Sequence, residues 1–220
     1  MDEIEWWEFD TSAEMAEQVV GDIGFVIESA IEAHKSARIA LPGEGAPQAL
    51  LTALAKAKNV DWSKVTVIPT DDRVPGQVAP GLQKLFGGKG ATVALLAANG
   101  SDAAMAAREA DARLAALGWP LDLVCLAVRA DGGVAGIGAG PDLDRAVSGP
   151  KERRVIASGE GLTLTGAALT SARTVMIVVQ GAEARGMLEQ AIKDGPLSAL
   201  PIGRLLAGID AAVDIFWSAQ

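Results

Sequence analysis

The chain has 220 residues, half of them apolar, and carries a formal net charge of −9 with one histidine and one cysteine. That much apolar material supports a substantial core and argues against disorder, while the negative field, without any run of Lys or Arg, disfavours nucleic acid and anionic membranes. Lone Cys and His residues rule out an internal disulfide and disfavour tetrahedral zinc, and with no basic leader after Met1 and no apolar run near the ~20 residues of a bilayer span, a cytoplasmic protein is expected.

Apolar residues at Ala16, Val19, Val20, Ile23, Val26, Ile27, Ala30 and Ile31 follow the three-and-four spacing of an amphipathic helix, opened by a Thr11 and Glu14 capping box. His34 and Lys35 stand at its expected C-terminal end, where cations complement the helix dipole; this is the reading adopted for His34 over a catalytic one. A strand at Ala37–Leu41 leads through a Pro/Gly loop, 42–47, into a helix near Gln48–Lys58. A second strand, Lys64–Pro69, precedes a loop and a short helix at Leu82–Phe86. Thr92–Leu96 reads as a strand, and Ser101 is placed to cap an Ala-rich helix that runs to Leu117. Leu121–Ala127 is a continuous apolar strand in which Cys125 reads as a packing thiol, and a Gly-rich loop, 132–140, follows.

Past Pro150 the strands are more closely set, at Arg154–Ala157, Leu162–Thr165 and Thr174–Gln180. A helix at Ala182–Lys193, a short helix at Ile202–Leu206 and a final strand at Ala212–Trp217 complete the chain. Continuous apolar strands alternating with helices predict an α/β fold: a mostly parallel, doubly wound, Rossmann-like sheet with helices on both faces and extra strands in the C-terminal third. No linker interrupts it, so one domain over residues 1–220 is expected, as a monomer or homodimer. Trp6-Trp7 and Trp217 are expected to cover the sheet's rim or a subunit contact.

Ligands of open parallel sheets bind beyond the carboxyl ends of the strands. Four segments fall there: 42–47, 70–75, 129–133 and the stretch after Gln180. Gly43 and Gly45, just before a helix, let backbone N–H groups approach a phosphate or simply make a turn, and Glu44 between them repels an anion. Asp71-Asp72-Arg73 reads either as carboxylates and a guanidinium positioning a hydroxylated anion or as a solvated turn. No EF-hand spacing or other ligand ladder appears, and neither a metal nor another cofactor is expected.

With these loops in hand the chain resembles the 6-phosphogluconolactonase family from about Ala13 to Trp217. Trp62-Ser63-Lys64-Val65 leading to Asp71-Asp72-Arg73-Val74-Pro75 looks like the family's tryptophan-led strand and its D-E-R-x-V-P loop. Leu121-Asp122-Leu123-Val124 leading to Asp131-Gly132 is similar to its D-L-V…G-x-G-x-D-G-H segment, and Leu162-Thr163-Leu164-Thr165, Gly181-Ala182-Glu183 and Pro201-Ile202 follow in family order. The related sugar-phosphate deaminases read D-E-Y-V-G at the corresponding loop, so Arg73-Val74-Pro75 favours the lactonase branch.

The resemblance implies hydrolysis of 6-phosphogluconolactone to 6-phosphogluconate in the pentose phosphate pathway. It implies a histidine after Asp-Gly that acts on the attacking water, and basic residues that hold the phosphate. Here the histidine's place is Gly133, which has no side chain to serve as a base. The phosphate loop carries Glu44, the arginine opening the R-x-T-L-T strand is Gly161, the lysine of G-x-E-K aligns with Ala184 beside Arg185, and the second glycine of G-x-G is Arg129. The expected catalytic carboxylates are therefore Asp71, Asp72 and Asp131, and the expected ligand-binding residues Gly43, Glu44, Gly45, Arg73, Arg129, Gly132, Gly133 and Arg185. Three functions stay open: a lactonase with a rebuilt centre, a sugar-phosphate or sugar-acid binder without turnover, and a lactonase for another sugar lactone.

Overall fold

The computed structural model describes residues 4–43, 47–97, 102–159 and 161–219. Its main layer is a seven-stranded, wholly parallel sheet. The strands are β1 (Ile4–Phe9), β2 (Ala37–Leu41), β3 (Val65–Pro69), β5 (Thr92–Val93), β6 (Leu123–Ala127), β9 (Val175–Gln180) and β10 (Val213–Ser218), in spatial order β1-β10-β9-β6-β2-β3-β5. A smaller antiparallel sheet joins β4 (Asp71–Arg73), β8 (Gly161–Leu164) and β7 (Val155–Ser158).

Both faces of the parallel sheet are covered, as its continuous apolar strands require. Leu123, Cys125 and Ala127 of β6 pack with Met15, Val19, Ile23 and Ile27 of α1 (Ser12–His34) and with α2 (Gln48–Leu54) and α3 (Ala79–Phe86). Val124 and Leu126 point the other way, into a core shared by α4 (Ala103–Ala115), α5 (Leu143–Ser148), α6 (Gly166–Thr170), α7 (Ala182–Asp194) and α8 (Pro201–Leu206). Cys125 is fully buried, and desolvation pushes its thiol up to about 12, so it is a packing residue.

Helix α1 starts as its sequence predicts: Thr11 Oγ1 accepts from the Glu14 N–H and Glu14 Oε2 accepts from the Thr11 N–H, each at 3.2 Å. It ends on Lys35 in the left-handed conformation, φ 68°, with the ammonium donating to the Glu32 carbonyl at 3.3 Å. Helix α4 is capped by Asp102, whose Oδ1 accepts from the Met105 N–H at 2.9 Å. The expected cap Ser101 lies outside the described residues.

The differences from the sequence reading are local. Residues 4–9 form an edge strand beside β10, where Trp7 is 40% exposed, so the tryptophans do lie at the rim. Asp71–Arg73 is a strand and not a loop, because β8 supplies a partner. Helix α2 stops at Leu54, β5 is two residues long, and the short helices α5 and α6 add to the expected set. No described helix is long and apolar enough to cross a membrane.

Candidate active site

Strand β3 ends at Pro69, and the chain passes through Thr70 into β4, which leaves the parallel sheet to pair with β8. This step brings two carboxylates to the carboxyl edge of the sheet and buries them: Asp71 is 4% exposed and Asp72 2%. Burial of a carboxylate is costly unless donors meet it, and here they do. Asp71 Oδ1 accepts from Thr70 Oγ1 at 2.7 Å and from the Gly43 N–H at 3.3 Å. Asp72 Oδ1 accepts from the N–H groups of Arg73, Gln77 and Val78 at 2.9, 2.7 and 2.8 Å, which wraps residues 73–78 around it. Its Oδ2 is buried without a hydrogen-bond partner among the described residues.

Gly43 meets the same strand from the other side. A Cβ there would lie 2.6 Å from the Asp71 carbonyl oxygen, so only glycine lets the loop after β2 approach β4 this closely.

A cavity of about 280 Å³ opens over β4, and Asp71, Asp72, Arg73 and Arg129 all line it. Four of the expected site residues thus meet: three consecutive residues of β4 and Arg129, from the segment after β6. The rest of its lining is Gly136, Ser158, Gly159, Gly161 and Leu162. Gly136, Ser158 and Gly159 were not foreseen. Gly136 has φ +69°, and a Cβ on it would come 2.8 Å from Asp71 Cβ, so the turn can reach the carboxylate only with glycine there. Thr163, fully buried on β8, ties the two walls together by donating from Oγ1 to the Ala135 carbonyl at 2.7 Å.

Asp131, Gly132 and Gly133 form the turn beside the cavity. The Arg129 N–H donates to the Gly133 carbonyl at 3.0 Å and the Gly132 N–H to the Arg129 carbonyl at 2.9 Å, with Gly132 at φ +76°. Asp131 accepts from Arg129 Nε and Nη2, each at 3.2 Å, and from the Gly133 N–H at 2.9 Å. The Arg129 guanidinium, aided by that backbone N–H and opposed by slight desolvation, holds the Asp131 carboxyl below its ordinary range.

Arg185 is not brought to the cavity. It lies beside the β1–β10 edge, between Trp217 and Trp6 with its guanidinium carbon 4.6 and 5.2 Å from the ring centroids. Its Nη2 donates to Glu8 at 2.7 Å and its Nε to Glu189 at 2.9 Å. These hydrogen bonds raise its already high pKa, Glu8 contributing most. Arg185 thus stands apart from Asp71, Asp72, Arg73 and Arg129, with Nε and Nη2 bonded to carboxylates and its guanidinium close to two indole rings. Glu44 and Gly45 lie outside the described residues. No group of three or more His, Cys, Asp or Glu side chains among the described residues is arranged to hold a metal ion.

Residues 10–213 match the family model described as "Glucosamine-6-phosphate isomerases/6-phosphogluconolactonase". The chain is 32% identical to the 6-phosphogluconolactonase of Rhizobium meliloti (strain 1021), covering 96% of this chain and 97% of that one. It is 29% identical to the 6-phosphogluconolactonase of Mesorhizobium japonicum, over 97% and 94% of the two chains. Among solved structures, a 6-phosphogluconolactonase from Shewanella baltica OS155 superposes with a TM-score of 0.88 at 23% identity over 99% of each chain. A monomeric glucosamine-6-phosphate deaminase has the same fold at a TM-score of 0.76 and 13% identity, over 97% of each chain. The chain belongs to the glucosamine-6-phosphate isomerase/6-phosphogluconolactonase family.

Proposed function

We propose that this protein binds a sugar acid or its lactone, of the kind its lactonase relatives act on, without efficient hydrolysis. The observation that carries the reading is Gly133: at the place where the family resemblance puts a histidine, the chain has only a backbone N–H, and that N–H points to Asp131. A general base must reach the attacking water within a hydrogen bond, and its loss typically costs ~10²–10⁴-fold in rate. The neighbouring carboxylates are poor substitutes. Asp131 is held ionised by Arg129, and Asp72 Oδ1 is filled by three N–H donors. Asp131, held low in this way, is a weaker base, and the Asp72 oxygen that accepts three N–H bonds has little room left to take a proton from water.

Asp71 favours a second reading, slow hydrolysis with a carboxylate as base, because it lines the cavity together with Arg73 and Arg129. Lactones hydrolyse readily enough for a weak base to matter. Under that reading Arg73→Ala and Asp71→Asn each abolish turnover. Glu44, in the loop that the resemblance assigns to phosphate, favours a lactone without phosphate as the ligand of either reading.

The deciding measurement follows decay of freshly generated gluconolactone and 6-phosphogluconolactone by NMR against their spontaneous rates, beside calorimetric titration with gluconate and 6-phosphogluconate. Saturable binding with no acceleration is the expected result. Acceleration by the native protein rejects the proposal in favour of a rebuilt catalytic centre.

A further inference from the structure

Gly133 is buried, yet the space above its Cα is occupied. A Cβ built there would lie 2.1 Å from Arg129 Nη2, 2.5 Å from Arg129 Cζ and 2.9 Å from Asp131 Oδ1. The guanidinium therefore fills the volume that a side chain at 133 would take. It is kept there by the tight turn, whose ends are joined by the Arg129 N–H donating to the Gly133 carbonyl at 3.0 Å, and by two contacts to Asp131 at 3.2 Å. Arg129 also lines the cavity that contains Asp71 and Asp72. Any residue but glycine at 133 has to push the guanidinium off Asp131 and out of this position.

We infer that Arg129 is the anion anchor of the cavity, that Gly133 is the condition for its placement, and that the group it takes is the carboxylate of an open-chain sugar acid. The inference rests on the binding function proposed above and deepens it. A guanidinium stays protonated at any working pH, so this exchange replaces a group able to carry a proton with a fixed cation. Its planar fork of donors matches a carboxylate in two parallel hydrogen bonds. The pair it now makes with Asp131 is largely exposed, 36% on the arginine and 67% on the aspartate, and a pair so placed holds weakly enough for a ligand carboxylate to compete. Asp71, Asp72 and Ser158, which also line the cavity, supply acceptors suited to the hydroxyls of a polyol chain.

The test is calorimetric titration of the native protein, Arg129→Gly, Gly133→Ala and the double variant with gluconate, 6-phosphogluconate and glucose 6-phosphate. The Asp131 carboxyl is titrated in each ligand-free protein by NMR. Each single variant weakens both sugar acids by about tenfold or more, and the double variant weakens them no further than Arg129→Gly, because both changes remove the same group. Glucose 6-phosphate is unaffected by either. The Asp131 carboxyl titrates at higher pH in both single variants. Unchanged sugar-acid affinity in Arg129→Gly, or losses that add in the double variant, overturns the anchor. A loss confined to the phosphorylated ligands, glucose 6-phosphate included, overturns the carboxylate in favour of phosphate. Native protein that binds none of the three refutes the binding function and the anchor with it, whereas an unchanged Asp131 titration in Gly133→Ala refutes the steric coupling alone.

Discussion

The two ends of the parallel sheet each bury a carboxylate, and they solve the problem differently. At the amino end Asp122, 2% exposed, faces two guanidiniums, Arg173 at 3.7 Å from Oδ1 and Arg38 at 3.8 Å from Oδ2, with the His34 imidazole also 3.7 Å from Oδ1. One backbone donor, the Arg38 N–H, adds a bond at 2.8 Å. At the carboxyl end the Asp72 carboxylate, equally buried, takes three backbone N–H groups on one oxygen and, among the described residues, no side-chain cation on that oxygen. Where cations neutralise a buried carboxylate, they are committed to the fold. Where the backbone does so, Arg73 and Arg129 line a cavity beside the carboxylate. The first arrangement staples β2, β6 and β9 together; the second shapes a site.

This contrast is sharpest when each carboxylate is removed. Asp122→Ala leaves the Arg38 and Arg173 guanidiniums without their carboxylate at the start of β2 and β6, and breaking one side of a buried charge network typically costs about 3–5 kcal/mol. A loss of about 3 kcal/mol by urea denaturation, with ligand binding intact, is expected. A loss under about 1 kcal/mol would mean that the cations are served equally well by water, and the distinction between the two ends would fail. Asp72→Asn is milder, because the amide oxygen still accepts the N–H groups while its NH₂ sits where Oδ2 has no partner. About 2 kcal/mol is expected, appropriate to a weakened charged acceptor and an added unpaired donor. Early exchange of the Gln77 and Val78 amides, ahead of global unfolding, should accompany it. If those amides stay protected, Asp72 does not organise residues 73–78.

The same contrast explains what could be read from the chain. The strands Ala37–Leu41, Val65–Pro69, Leu123–Ala127 and Val175–Gln180 were legible because burial on both faces writes a continuous apolar run. Strand β1, Ile4-Glu5-Trp6-Trp7-Glu8-Phe9, was not, since an acidic edge strand draws its stability from pairing with β10. Asp71-Asp72-Arg73 has poor strand propensity and became a strand through β8, a partner that is about 90 residues away in the chain. Their chemistry still marked Asp71, Asp72, Arg73 and Arg129 as site residues. Gly136, Ser158 and Gly159 carry no such mark: two glycines and one serine hydroxyl whose place at the cavity only the tertiary fold sets. Nor did adjacency to the Gly181 turn give any hint that Arg185 would lie against Trp6 and Trp217, from opposite ends of the chain.

Asp131 offers the smallest effect and tests whether a third kind of carboxylate exists here, exposed and paired with a cation at the site itself. Its ordinary value is 3.8, and the Arg129 hydrogen bond lowers it in the folded protein. A carboxyl whose pKa is depressed by folding adds stability that is present above its unfolded value, begins to fade as pH falls below that value, and is gone below the folded one. The stability difference between native protein and Asp131→Asn should therefore be constant from pH 7 down to about pH 5 and shrink only below about pH 4, as followed by thermal denaturation. The same difference measured in Arg129→Gly should be close to zero throughout, because the guanidinium is the main cause of the shift. A difference that persists without Arg129 would assign the shift to the Gly133 N–H instead, and would make the Asp131 pair part of the turn's own architecture, like Asp72, and not a ligand-competent contact.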